Sequence, residues 1–153
     1  MMRQRLIAVG DDYWIEDDNG DRQFKVNGKV ARARDTWKLE DLHGNRVATI
    51  RERKLSIRDA IKIEVGGREA TVKKAMVGIR DRFHVDVDGG DDLKVHGNIV
   101  DHEYEIECKG DRVATVSKKW FRARDTYGVE MQSDADIVLL LAVTVAVDSL
   151  AHD

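Results

Sequence analysis

The sequence predicts a mainly β fold: a closed antiparallel barrel of about twelve strands around a C-terminal hydrophobic helix. Three observations predict it. A short alternating motif recurs six times, at spacings of 21–24 residues. Five of the copies meet a glycine-containing turn and come back as a second alternating segment. Residues 137–147 are apolar at every position except Thr144, unlike anything before them.

The motif is Arg-Asp followed by apolar residues two and four places after the aspartate. It appears as Arg34-Asp35 with Trp37 and Leu39, Arg58-Asp59 with Ile61 and Ile63, Arg80-Asp81 with Phe83 and Val85, and Arg124-Asp125 with Tyr127 and Val129. Weaker copies start at Asp11 (Tyr13, Ile15) and His102 (Tyr104, Ile106, Cys108). A period of two places one apolar face on each strand. The turns are Asn19-Gly20, Gly44-Asn45, Gly66-Gly67, Gly89-Gly90 and Gly110-Asp111, pairs that supply the positive φ of tight hairpins. The return strands carry Phe24/Val26, Ala48/Ile50, Ala70/Val72, Leu93/Val95 and Ala114/Val116. Five hairpins, one strand over residues 126–131 and one over residues 5–9 make twelve. So many antiparallel strands curl, and closure removes their exposed edges.

The final apolar stretch is too short for a membrane span, which needs about 20 residues, and Asp136 and Asp148 bracket it. Val143, Val145 and Val147 alternate as a core strand would, whereas Leu139–Leu140–Leu141–Ala142 and the length favour a helix over residues 134–152, capped by Ser133 or Asp134. Such a helix is apolar all round and must be enclosed by protein. A twelve-strand barrel is too wide to be filled by its own side chains, so the helix is the expected plug.

Length fits one domain over residues 1–153, with strands in 1–131. With 26 basic and 29 acidic residues the net charge is −3, so whole-molecule attraction to nucleic acid is not expected and any polyanion must meet a local basic patch. One cysteine, Cys108, forms no internal disulfide and fits a reducing compartment. The N-terminal apolar run is too short for a secretory signal. The expected location is cytoplasmic, with peripheral membrane contact.

Residues 10–29 (GDDYWIEDDNGDRQFKVNGK), residues 101–130 (DHEYEIECKGDRVATVSKKWFRARDTYGVE) and the terminal apolar segment resemble the LURP-one-related family. Its fold is the tubby C-terminal-like barrel, shared with the phospholipid scramblases. The resemblance covers essentially the whole chain and implies a fold rather than a reaction, since the family carries no established catalytic motif. Plant relatives are associated with pathogen defence, and tubby domains bind phosphoinositides.

The hairpin order sorts the loops onto two ends. The connections 28–35, 51–59, 73–81, 96–102 and 117–125 total +8, and the glycine turns 17–21, 41–45, 66–68, 86–92 and 109–111 total −7. The basic end is therefore the candidate contact for anionic phospholipid or phosphoinositide headgroups, through Lys118, Lys119, Arg122, Arg124, Lys73, Lys74, Arg58 and Arg80. Trp120 and Phe121 would touch the interface. The same asymmetry also suits a buried helix that starts at the acidic end and finishes at the basic one, and each Arg can pair with its neighbouring Asp. Asp148, the one charge interrupting the apolar segment, is the candidate at the barrel mouth, where it reaches solvent, pairs with a loop arginine or contacts a ligand.

No catalytic, metal or cofactor site is expected. Nucleotide-binding and hydrolase motifs are absent, the five histidines are dispersed without ligand spacing, and the aspartates at 11–12 and 88–92 read as hairpin turns. Cys108 falls on the inward face. The function predicted is non-enzymatic binding or scaffolding. The alternatives are a membrane-associated scramblase-like protein and a small-molecule carrier or enzyme using the barrel mouth.

Overall fold

The computed structural model describes residues 2–9, 12–27, 36–55, 58–75, 82–99, 101–118, 126–132 and 136–151. Among these residues twelve strands and one helix follow in chain order: β1 (Met2–Val9), β2 (Asp12–Glu16), β3 (Arg22–Asn27), β4 (Thr36–Asp41), β5 (Arg46–Leu55), β6 (Arg58–Val65), β7 (Arg68–Ala75), β8 (Arg82–Val87), β9 (Leu93–Asn98), β10 (Glu103–Cys108), β11 (Asp111–Ser117), β12 (Thr126–Met131) and α1 (Ile137–Ala151). Each strand pairs antiparallel with the next. The barrel closes where β1 meets β12, with Met2 opposite Met131 and Ile7 opposite Thr126. The predicted twelve-strand barrel with a C-terminal helix is the fold observed.

The period-two pattern sets the inward face. Leu6, Ile15, Val26, Leu39, Ile50, Ile61, Ile63, Val72, Val85, Ile106, Val116 and Val129 are all fully shielded from solvent. Leu139 to Val147 are buried too, on every side of the helix, so α1 is the centre of the core rather than one layer of it. Its nearest walls are β5, β6 and β7. There Ala48 and Ala70, each 2% exposed, leave room for the helix backbone. Thr144, the polar residue in this apolar run, donates its hydroxyl to the Leu140 carbonyl at 2.8 Å, a bond within the helix itself.

The acidic turns have a local cause. Asp17 accepts the Asn19 and Asp21 amides at 2.9 and 3.0 Å, and Asp41 accepts those of His43 and Asn45 at 2.9 Å each. These bonds fix the hairpin tips before glycine takes the positive φ, as at Gly20 and Gly44. The Asn45 amide also holds the Asp41 carboxyl below the ordinary carboxylate range.

Asp136 caps α1: its side chain accepts the Leu139 amide at 3.2 Å and its carbonyl accepts that of Leu140 at 3.0 Å. It also pairs with Arg68 at the start of β7, which ties the helix entry to the glycine-turn end. The observed cap is thus two or three residues later than the sequence suggests. Ser133 and Asp134 lie outside the described residues.

Candidate functional site

Alternation of direction around the barrel sends the connections after β3, β5, β7, β9 and β11 to one end, and the five glycine turns to the other. Closure through β1 and β12 brings the β1–β2 connection to the same end as the basic connections. Helix α1 enters at the turn end beside Arg68 and finishes at the opposite one, where Asp148 approaches His102.

Three of the predicted lysines are described there. Lys73 is exposed on β7, its ammonium 3.7 Å from Asp86 of β8. Lys74 is also exposed, although it shares the inward parity of Ala70 and Val72, because it lies beyond the packed core. Lys118, at the end of β11, has its ammonium 4.0 Å from Asp101. Glu103 fixes its backbone, accepting the Lys118 amide at 3.2 Å and the Ser117 hydroxyl at 2.7 Å. The Lys73 and Lys118 ion pairs are long and half-exposed, so they contribute little and exchange readily for another anion. Arg58 opens β6 opposite Leu55, but its side chain lies outside the described residues. Lys119, Arg122, Arg124 and Arg80 lie outside them altogether, as do Trp120, Phe121 and Arg34.

Asp148 sits in the last turn of α1, its side chain 13% exposed. Its Oδ1 lies 3.2 Å from Nδ1 of His102 in the β9–β10 turn. The approach has the distance of an ion pair without the angle of a hydrogen bond. Among the described residues the group it approaches is this histidine, while the loop arginines at 34, 80, 122 and 124 and the side chain of Arg58 lie outside them. His102 holds φ of 53° to make that turn. In the sequence it stands at the start of a weak motif copy, and nothing there pairs it with Asp148.

Tyr104 completes the cluster from below. It is 2% exposed, and its hydroxyl lies buried near Thr144 and Asp148 without a hydrogen bond of normal geometry. Burial first, then the Asp148 charge, pushes its phenol well above the ordinary value, and Thr144 offsets part of this. The folded chain therefore holds the proton more tightly than the unfolded one. The resulting stability is complete below the unfolded tyrosine pKa, about 10, and is lost as pH rises above it, by about 1.4 kcal/mol per pH unit. In urea titrations at neutral and strongly alkaline pH, Tyr104→Phe is expected to lack this share of the alkaline loss. At neutral pH it should lie within about 1 kcal/mol of the parent, because the hydroxyl removed makes no hydrogen bond of normal geometry.

The outer wall carries two further groupings that linear spacing does not show. His84 of β8 lies 2.8 Å from Asp86 and 3.6 Å from Asp92. His96 of β9 lies 2.8 Å from Glu107 of β10, with Glu105 in the same group. The alternation Glu103-Tyr-Glu105-Ile-Glu107 was the available signal, since it places three carboxylates on one outer face. Cys108 packs against the core, as its register predicts, and is partly buried.

Comparison with known proteins agrees with this architecture. The chain is 22% identical over 152 residues to the uncharacterised protein YxjI of Bacillus subtilis (strain 168), covering 99% of this chain and 93% of that protein. The X-ray structure of the Arabidopsis thaliana protein AT5G01750 superposes with a TM-score of 0.70 at 17% identity, over 98% of this chain and 91% of the other. That likeness is one of fold. The family model described as LURP-one-related matches residues 1–148, from the first barrel strand into the last turns of the helix. A closed twelve-strand barrel filled by its own C-terminal helix, matched over that length, belongs to the LURP-one-related family.

Proposed function

We propose that this protein is a non-enzymatic binding protein whose basic end contacts anionic phospholipid headgroups, including those of phosphoinositides, without inserting a helix. The observation that supports the reading is charge: the connections at the end where α1 finishes total +8, against −7 for the glycine turns. A basic residue near an anionic surface contributes about 1 kcal/mol, so a cluster suffices for weak, salt-sensitive docking. The dense run is Lys118, Lys119, Arg122 and Arg124, with Trp120 and Phe121 between Lys119 and Arg122 in the chain.

Two features favour peripheral contact over the alternatives. No helix among the described residues is long and apolar enough to cross a membrane, and residues 139–147 are already enclosed by strands.

Cosedimentation with phosphatidylcholine vesicles, with and without a phosphoinositide or phosphatidylserine, tests the reading. The expected result is association with anionic vesicles at low salt and release at high salt. The combined Lys118→Glu, Lys119→Glu and Arg122→Glu replacement should weaken it at least about 100-fold, given the contribution per charge, with an unchanged melting temperature. No association with anionic vesicles at low salt would remove the proposal.

A further inference from the structure

We propose that His96, Glu105 and Glu107 form a binding site for a divalent transition-metal ion, Zn2+ by ligand type, on the outer wall of the barrel. One ligand atom from each residue lies within 4.8 Å of the others. His96 and Glu105 face each other across the β9–β10 ladder, and Glu107 follows on the same outer face of β10. All three therefore project from paired strands in a closed barrel, which fixes their separation better than a loop would.

The distances suit an ion of this size. Metal–nitrogen and metal–oxygen bonds of about 2.0–2.2 Å in tetrahedral geometry place ligand atoms roughly 3.4 Å apart. The His96–Glu107 contact of 2.8 Å has to open by about half an ångström to reach that spacing, and rotation of the glutamate side chains brings the third ligand in. One imidazole with two carboxylates is a mixed nitrogen and oxygen set. It suits Zn2+ or a neighbouring transition ion better than Ca2+ or Mg2+, which take oxygen throughout.

The surroundings leave a coordination position accessible. His96 and Glu105 line a groove of about 300 Å3, together with Gly97, Glu103 and Thr115, so water can complete the shell. Arg112 of β11 donates to Oε1 of Glu105 at 3.3 Å. That bond orients the carboxylate and leaves it a second oxygen, the role an outer partner plays at many metal sites.

The grouping of His84, Asp86 and Asp92 is the weaker of the two. Asp92 already accepts the Val87 amide at 3.1 Å, Lys73 lies 3.7 Å from Asp86, and Asp92 is 53% exposed. It therefore serves as the internal control.

Isothermal titration of the chelator-treated full chain with ZnCl2 tests the site, alongside its melting temperature with and without Zn2+. The expected result is one Zn2+ bound per chain, with a melting temperature that rises on addition. His96→Gln and Glu107→Gln are each expected to weaken binding at least about 10-fold and to abolish the rise, while His84→Gln leaves both unchanged. All three residues point away from the core, so the metal-free melting temperatures should match the parent. If one variant folds poorly, the other carries the test. Absence of saturable binding, or binding that survives both replacements, overturns the proposal. So does binding lost with His84→Gln and retained with His96→Gln.

Discussion

A Leu141→Asp chain is expected not to fold to its native state, giving no cooperative unfolding transition by circular dichroism and eluting as expanded or aggregated material. Leu141 is fully buried at the middle of α1, with strands on every side. Truncating such a leucine alone costs about 2–5 kcal/mol. A carboxylate left without a partner at that depth adds several more, against a total stability of about 5–15 kcal/mol. Leu141→Met keeps the volume and should cost less than about 1.5 kcal/mol. The contrast between the two separates a core helix from a detachable one. Were α1 a membrane anchor or a surface appendage, the aspartate variant would leave the barrel's transition nearly where the parent's is. The helix does carry a carboxylate at Asp148, but there the side chain is 13% exposed and faces His102.

Gly97→Ala is expected to destabilise the protein by at least about 3 kcal/mol, measured by urea denaturation, from a substitution of one methyl group. Gly97 has φ of 134°, and a Cβ there would lie 2.7 Å from the Glu103 carbonyl oxygen and 2.8 Å from Tyr104 Cα. Both obstacles are backbone of the paired strand β10, so relief requires β9 and β10 to separate. Gly20→Ala is the matched control. It also sits at positive φ, 81°, but a Cβ there meets nothing within 4 Å, so its cost should stay at about the 1–2 kcal/mol of a side chain in the left-handed region. Equal effects at the two positions would mean that the close approach of β10 does not constrain β9.

Much of this architecture was legible because it repeats. Trp37/Leu39, Ile61/Ile63, Phe83/Val85 and Tyr127/Val129 each present a two-residue alternation after the same Arg-Asp anchor, and antiparallel pairing needs little more than that pattern and a tight turn. The strand count then implied a cavity for the helix, which the Leu139–Leu140–Leu141–Ala142 run and the segment's length favoured over the Val143–Val145–Val147 alternation. Small departures from the repeat were not legible. The register shifts after Ile15, Leu39 and Ile106 fall at equivalent places in three hairpins, yet nothing in those residues marks a bulge.

The candidate site was legible only in part, for a physical reason. Charge sums over connections depend on topology alone, so the two ends could be told apart from the order of hairpins. Contacts across strands depend on register, which a shift of one residue inverts. The meeting of His96 with Glu107, eleven residues away, and of His102 with Asp148 at the far end of the chain, follows from pairing and closure. Tyr104 was legible as a core residue. Its hydroxyl's position beside Thr144 and Asp148 depends on how the helix is rotated within the barrel, which an apolar helix surface does not specify.

Native-state hydrogen exchange of the α1 amides, with and without anionic vesicles, tests most directly whether the helix is the permanent core of a barrel that meets membranes only from outside. The prediction is that amides 140–147 exchange only through global unfolding, as slowly as those of Ile63 and Ile106, and that vesicles leave this protection unchanged. Faster exchange in the helix than in those strands, or protection that changes when vesicles are added, would contradict it.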